Sequence, residues 1–472
     1  MYLNYINGEL LEGEGKEIDV YNPETGRIIT KIKSTSVSQA ITALEAAKKA
    51  FVMWSGYSLG ERWSYISRFL ELLRAEKENI VKILIEETGK PLSNADYDFE
   101  MLPSCLSFFM EEAKRMKGEI IPDETNSHLN MIVKQPLGVV VGFLAWNFPL
   151  LNLGYKLGPV LASGCTCVIK PSSNTPLASL YVGSLARKAG IPGGVINIIA
   201  ANDNGVKAAL CESTIPKMLT LIGSSSTGRE IIKSSATSIK HFSLELGGNA
   251  PAIVMPSADI EKAAAHVCDN KFGNCGQVCV AANRIFVHKS VKDRFIGHVL
   301  ANVKKVRLGS GNTDPKADMG PMISKKACDA MAELVKDAVN KGAKVLCGGK
   351  KAERDGFFFE PTVLDNVHNG MRVYDEEIFG PIMPIIEFGD GDDIAVLGND
   401  TEYGLASYLF TKDLQEAIGI SRRLDFGSIC VNEPFYAFNL PHGGLKESGM
   451  GKDCSHYSME EYYAVKRISI KN

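Results

Sequence analysis

The sequence predicts an α/β protein: a doubly wound, largely parallel sheet, a second α/β unit and a small β element. Three observations carry this expectation. From Gly138 onward, short Val- and Ile-rich runs alternate with segments of helical spacing, the rhythm of parallel strands joined by right-handed helical crossovers. One run, "MLTLIG", passes through a Gly/Ser turn directly into a helical segment, the kind of join at which a dinucleotide-binding sheet holds phosphate. At 472 residues the chain is also too long for one ordinary core, so two or three domains are expected.

The elements follow in order. "YNPETGRIITKI" reads as a hairpin around Pro23 and Gly26, and residues 37–51 have helical spacing. Ser58 and Glu61 fit a capping box. The helical pattern behind them runs to the stop signals Gly89 and Pro91. "GVVVGFLAW" is a short buried strand by its length and Val content. A helix at 153–162, the strand "TCVIKP", a helix at 176–189 and the strand "GVINIIA" come next. "MLTLIGSSSTGREIIKSSA" is a fourth strand entering a helix. Beyond Glu245, helices at 260–270, 291–303 and 325–341 are interleaved with strands at "RIFVH", "AKVLCGG", "FFFEPTVL" and "PIMPIIEF". The tail "EEYYAVKRISI" resembles an edge strand, of the kind that pairs with another chain.

Composition narrows the function classes. Hydrophobic content of 45% and charged content of 23% are those of a soluble globular protein. A net charge of −3 gives no sign of a nucleic-acid or anionic-membrane partner. The start "MYLNYINGEL" lacks the regions of a signal peptide. The most apolar region, 137–169, is broken by Asn147, Pro149, Asn152 and Lys156, so it fails as a membrane span. Eleven cysteines spread over a chain of this size point to free thiols in a reducing cytoplasm.

Four stretches draw chemical interest. "LIGSSSTG" sets Gly223 and Gly228 between strand and helix; it reads equally as a phosphate cradle or an ordinary turn, because G-x-G-x-x-G is absent. Lys170 in "VIKPSSNTP" ends a predicted strand, where open α/β sheets bind ligands, although most lysines are merely solvated. In "LELGGNAP", Glu245 stands between leucines. A carboxylate there is costly unless paired or neutral, which fits a general base or a structural bridge. "FGNCGQVC" holds Cys275 and Cys279. His266 and His288 match no common ligand spacing, so no metal site is expected. C-x-x-x-C is also not the usual redox spacing. A single thiolate nucleophile leads over two inert buried thiols.

Taken together and in order, "AWNFP", "KPSSNTP", "GSSSTG", "LELGG", "FGNCGQVC", "EEIFGP" and "PHGGLKESGMG" resemble the aldehyde dehydrogenase superfamily, and the resemblance runs nearly the whole chain. It implies a Rossmann-type cofactor domain (1–116 with 138–246) and an α/β catalytic domain (247–451). A small β bridging and oligomerisation element (117–137 with 452–472) completes the expected layout. Position by position, it implies Cys279 as nucleophile, Glu245 as general base and Asn147 as oxyanion donor. Lys170, Ser172 and Ser173 would lie by the adenine-side ribose, Gly223 and Ser224 by the pyrophosphate, and Glu377, Phe379 and Trp146 by the nicotinamide half. The reaction implied is NAD(P)-dependent oxidation of an aldehyde through a thiohemiacetal and a thioester. The presence of Glu245 favours release of a free acid over acylation of coenzyme A.

Two departures refine this. Many NAD-preferring relatives carry Glu where this chain has Ser173. A small neutral residue beside Lys170 leaves room for a 2′-phosphate, so NADP is favoured over NAD. Succinate-semialdehyde dehydrogenases are the subgroup most alike in appearance. Two arginines that typically hold their substrate's carboxylate are replaced by Tyr155 and Gly273. An uncharged aldehyde is therefore expected, in an aromatic pocket of Tyr155, Phe435 and Tyr436. Succinate semialdehyde or lactaldehyde is the alternative, with a residue such as Arg284 supplying charge; a non-catalytic or thiol-redox protein on the same fold is a further one. A homodimer or homotetramer is implied by the exposed edge strand.

Overall fold

Strand order explains where ligands gather. A computed structural model describes residues 2–472, and among them three of the five sheets have three or more strands. The first has five parallel strands at its centre, in the order Ile196–Ile198, Thr166–Lys170, Val139–Phe143, Pro216–Ile222 and His241–Glu245. Chain order therefore runs outward in both directions from Val139–Phe143. The switch point lies between that strand and Pro216–Ile222, and a crevice opens beyond their carboxyl ends. Asn4–Ile6 and Gly449–Met450 close the two sides as antiparallel neighbours.

These strands are buried on both faces. Val140, Val141, Val168, Ile169 and Leu219 have no exposed surface, as expected of a parallel sheet covered by helices. One covering helix, Val37–Trp54, is opened by a Ser36–Gln39 capping box. The predicted Ser58–Glu61 box opens Leu59–Ala75. The single helical pattern expected as far as Gly89 is in fact two helices. Leu59–Ala75 and Lys77–Thr88 meet at Glu76, whose φ of −99° and ψ of 12° leave the helical range. Leu92–Ala113 then packs along Pro149–Ser163. That second helix starts four residues before its expected position, because Pro149 takes the first turn, where its missing N–H costs nothing.

The second sheet orders Lys344–Cys347, Thr362–Asp365, Ile382–Phe388, Ala282–His288, Ala250–Val254, Ala406–Phe410 and Ser428–Val431. All its pairings are parallel except the first. The third sheet is antiparallel: Tyr463–Lys471 pairs with His128–Pro136 along its full length, and Glu119–Ile121 lies on the far side. The tail is thus an edge strand, as its sequence suggested. Ile120, Val465 and Ile470 leave an apolar, exposed surface on this sheet.

Candidate active site

The stretch "FGNCGQVC" folds as a sharp turn. The helix Ile260–Phe272 ends in the 3-10 turn Gly273–Gly276. Asn274, Cys275 and Gly276 take positive φ of 47°, 59° and 69° in succession. A Cβ on Gly276 would stand 2.3 Å from the Gly380 carbonyl oxygen, so only glycine fits. Gln277 pins the turn: its Nε2 donates to the Pro321 carbonyl at 3.2 Å and its Oε1 accepts from the Ile323 N–H at 2.9 Å. This anchoring is the physical work of the Gly-Gln pair. It leaves Cys279 partly exposed while Cys275 is sealed, its Sγ 3.6 Å from the Met322 sulfur.

Cys279 faces a cavity of about 320 Å³ at the switch point of the first sheet. Its wall includes Asn147 and Trp146 from beyond Val139–Phe143, Gly223 and Ser224 from beyond Pro216–Ile222, and Glu245 from the end of His241–Glu245. Glu377 and Phe379 enter from the stretch just ahead of Ile382–Phe388 in the second sheet. Gly248 lets its backbone lie directly against Cys279, since a Cβ there would lie 2.2 Å from the Cys279 carbonyl oxygen.

Glu245 is 4% exposed, and its Oε1 has no hydrogen-bond partner. Burial, then the neighbouring Glu245 carboxylate, pushes the Cys279 thiol well above its ordinary value. Asn147 is held from several sides. Its Nδ2 donates to the Gln277 carbonyl at 3.1 Å, and its own carbonyl accepts from Asn274 Nδ2 at 3.1 Å and from Lys90 Nζ at 3.0 Å. Glu377 is pushed up to about 7 by burial, although its Oε1 accepts the Gly248 N–H at 2.9 Å. Trp146 and Phe379 meet edge to face, with centroids 5.4 Å apart.

Lys170 sits at the carboxyl end of its strand, as expected. Burial, and next the charge of Lys207, lowers it to about 8. Among the described residues no carboxylate pairs with it. Ser172 and Ser173 follow on the same turn, partly exposed and outside the cavity wall. Ser224 caps the helix Ser225–Ser234, accepting the Thr227 N–H at 3.3 Å. An uncompensated lysine beside small serines, together with a helix start at the crevice, fits the two anionic parts of a dinucleotide phosphate.

The aromatic pocket needs correction. Tyr155 and Tyr436 do line the cavity, and the Tyr155 hydroxyl donates to the Tyr436 hydroxyl at 2.7 Å. Phe435 does not: it is 63% exposed and borders a separate groove. Tyr436 is turned inward by Tyr155 and by Cys454 Sγ, 3.0 Å from its hydroxyl, and the residue before it is left facing solvent. Gly273 is also absent from the cavity wall, and a Cβ there would meet nothing within 4 Å. Arg284 is fully buried and already donates to the carbonyls of Asn249, Leu397, Gly398 and Asp400. No lysine or arginine lines the cavity among the described residues.

His442 was missed in the sequence. It lines the cavity with its Nε2 3.8 Å from Glu245 Oε1. The signal available was an imidazole in the glycine-rich "LPHGGL". The buried pair Lys90–Asp98 was missed as well. Its salt bridge is 2.8 Å long, and Asp98 Oδ1 also accepts the Leu150 and Leu151 N–H groups.

Comparison with known proteins agrees with this geometry. Residues 10–468 match the Aldehyde dehydrogenase family. A glutarate-semialdehyde dehydrogenase of Pseudomonas putida is 38% identical, over 99% of this chain and 97% of its own. The NADP(+) succinate-semialdehyde dehydrogenase of Escherichia coli is 37% identical, over 98% of this chain and 97% of its own. A solved structure of a 3,6-anhydro-L-galactose dehydrogenase superposes with a TM-score of 0.96 at 37% identity, covering 100% of both chains. The chain belongs to the aldehyde dehydrogenase family.

Proposed function

We propose that this protein oxidises an uncharged aldehyde to its carboxylic acid with NADP, through covalent adducts on Cys279. The observation that carries the reading is the convergence of Cys279, Glu245 and Asn147 on one cavity. Burial and nearby carboxylates push the Cys279 thiol up, so its proton passes to solvent as the sulfur attacks the carbonyl carbon, and Glu245 stays free for the second half of the reaction. The resulting oxyanion is stabilised by the Asn147 side-chain amide and the Cys279 N–H, both fixed in advance. Bound NADP would supply the hydride acceptor as the Cys279 thiohemiacetal collapses to a thioester. Glu245 then takes a proton from water, which attacks the thioester; the acid leaves and the thiol is restored. Lys170, Ser172, Ser173, Gly223 and Ser224 would hold the phosphate-bearing half of the cofactor. Trp146, Glu377 and Phe379 would flank the other.

A cavity lined by Glu245 and Glu377, without lysine or arginine, supports the uncharged substrate, because a carboxylate needs charged donors when desolvated. The names of the relatives favour a second reading, an acidic semialdehyde. The relatives also favour NADP, one of them being named for it. Eleven free cysteines support a reducing, cytoplasmic setting, and the exposed third sheet supports a homodimer or homotetramer. We keep the domain division 1–116 with 138–246, 247–451, and 117–137 with 452–472 as part of this proposal.

The test is reduced-nicotinamide absorbance across a panel of aldehydes crossed with NAD and NADP. Cys279→Ser is expected to abolish turnover, and full activity in that variant would overturn the mechanism. A higher kcat/KM for succinate semialdehyde than for every uncharged aldehyde would replace the substrate assignment.

A further inference from the structure

His442 lines the cavity but has no part in the reaction above. Glu245, Cys279 and His442 bring a carboxylate oxygen, a sulfur and an imidazole nitrogen within 4.8 Å of one another. The His442 ring is fixed between two tyrosines, with centroids 6.0 Å from both Tyr155 and Tyr436. Its Nε2 stops 3.8 Å from Glu245 Oε1, beyond hydrogen-bond reach. That oxygen is itself buried without a partner. An orphaned acceptor therefore faces a nitrogen and a sulfur across a gap that protein donors leave unfilled.

From this arrangement we infer a reversible, inhibitory binding site for a zinc-class divalent cation. The inference rests on Cys279 being the nucleophile. Tetrahedral zinc with bonds of about 2.0–2.3 Å places its ligands roughly 3.3–3.8 Å apart. The His442–Glu245 separation of 3.8 Å already matches, and the other separations, within 4.8 Å, need at most about an ångström of side-chain closure. One thiolate and one carboxylate neutralise the ion's two charges, which a buried site requires. Nitrogen with sulfur selects zinc over magnesium or calcium. The fourth position faces the cavity, as in zinc sites with three protein ligands. On binding, the Cys279 S–H bond breaks, the S–metal bond forms, and the proton passes to solvent. The sulfur lone pair and the Glu245 carboxylate are then both engaged, so neither addition to a carbonyl nor activation of water proceeds. The histidines nearest in sequence, His266 and His288, are not involved; His288 instead faces Asp390 at 3.1 Å.

Cobalt(II) serves as the spectroscopic probe, added to the full-length enzyme without aldehyde. The expected result is a thiolate-to-cobalt charge-transfer band saturating at one equivalent, absent in Cys279→Ser. Zinc is expected to displace the cobalt and to inhibit aldehyde oxidation, with recovery on chelation. His442→Phe keeps an aromatic ring between the two tyrosines, and His442→Gln keeps polarity. Each should weaken cobalt binding by more than about tenfold, the least that altering a metal site's supporting residues costs. Wild-type affinity in both variants, or a band that survives Cys279→Ser, would overturn the site. Because the band is read without substrate, its failure is distinct from failure of the catalytic reading, which Cys279→Ser turnover reports.

Discussion

Lys90 Nζ holds Asp98 Oδ2 at 2.8 Å, and both side chains are sealed from solvent, at 2% and 0% exposure. The pair joins three structures. Lys90 also reaches the Asn147 carbonyl, and Asp98 accepts two N–H groups at the start of Pro149–Ser163. Removing one partner leaves a buried charge and two orphaned donors. Asp98→Ala is expected to lose about 3–5 kcal/mol in denaturant unfolding, and kcat should fall by on the order of a hundredfold as Asn147 loses its support. A loss below about 1 kcal/mol, the level of a surface pair, would mean that the pair holds nothing in place.

Glu245→Gln separates the two halves of turnover. Gln lacks the charge needed to deprotonate water but resembles Glu in shape. Acylation should still yield reduced cofactor, with steady-state turnover falling by roughly 10²–10⁴-fold. Stopped-flow absorbance should then show a burst of up to one equivalent per site. Unchanged steady-state turnover would place the water-activating base elsewhere.

Lys170 gives a pH signature. Its ammonium is charged below about 8 and neutral above. A bound 2′-phosphate favours the charged form. The Kd for NADP should therefore rise with pH above that point, by up to about tenfold per unit, while the Kd for NAD stays nearly flat. Lys170→Met should remove the difference. Parallel titrations of both cofactors by fluorescence check this, and an NADP affinity independent of pH would count against Lys170 as the phosphate's partner.

Gly273 offers a test of where the substrate pocket ends. Its φ of −54° and ψ of 136° suit any residue, and a side chain there meets open space. Its neighbour Asn274 is bonded to Asn147. Gly273→Arg is expected to fold normally and, because the position lies outside the cavity wall, to leave the ratio of kcat/KM for succinate semialdehyde to that for an uncharged aldehyde unchanged. A gain of at least about tenfold for succinate semialdehyde, the low end of one charge-assisted hydrogen bond, would show that position 273 does select substrate charge.

The readable part of the site was chemically conspicuous. A glutamate between leucines, a lysine ending a strand and a cysteine behind a Gly-Gln pair each stand out locally, and all three lie where parallel-sheet topology gathers ligands. The hidden part depends on distant partners. Nothing near Lys90 or Asp98 announces that each is buried against the other, and His442 reaches Glu245 only after the two units meet. Phe435 and Tyr436 look equivalent in "NEPFYAF", yet inward bonding to one exposes the other. The break at Glu76 has no Gly or Pro to mark it, so helical spacing alone ran through it.

Gly449–Met450 pairs with Leu244 and Glu245, and the Ser448 carbonyl accepts the Leu246 N–H. The strand carrying Glu245 therefore gains its last neighbour from a segment translated long after it. A nascent chain that has already produced Cys279 still has an unfinished edge beside its carboxylate. Until the ribosome passes Met450, Cys279 has emerged without the full setting of the carboxylate that faces it.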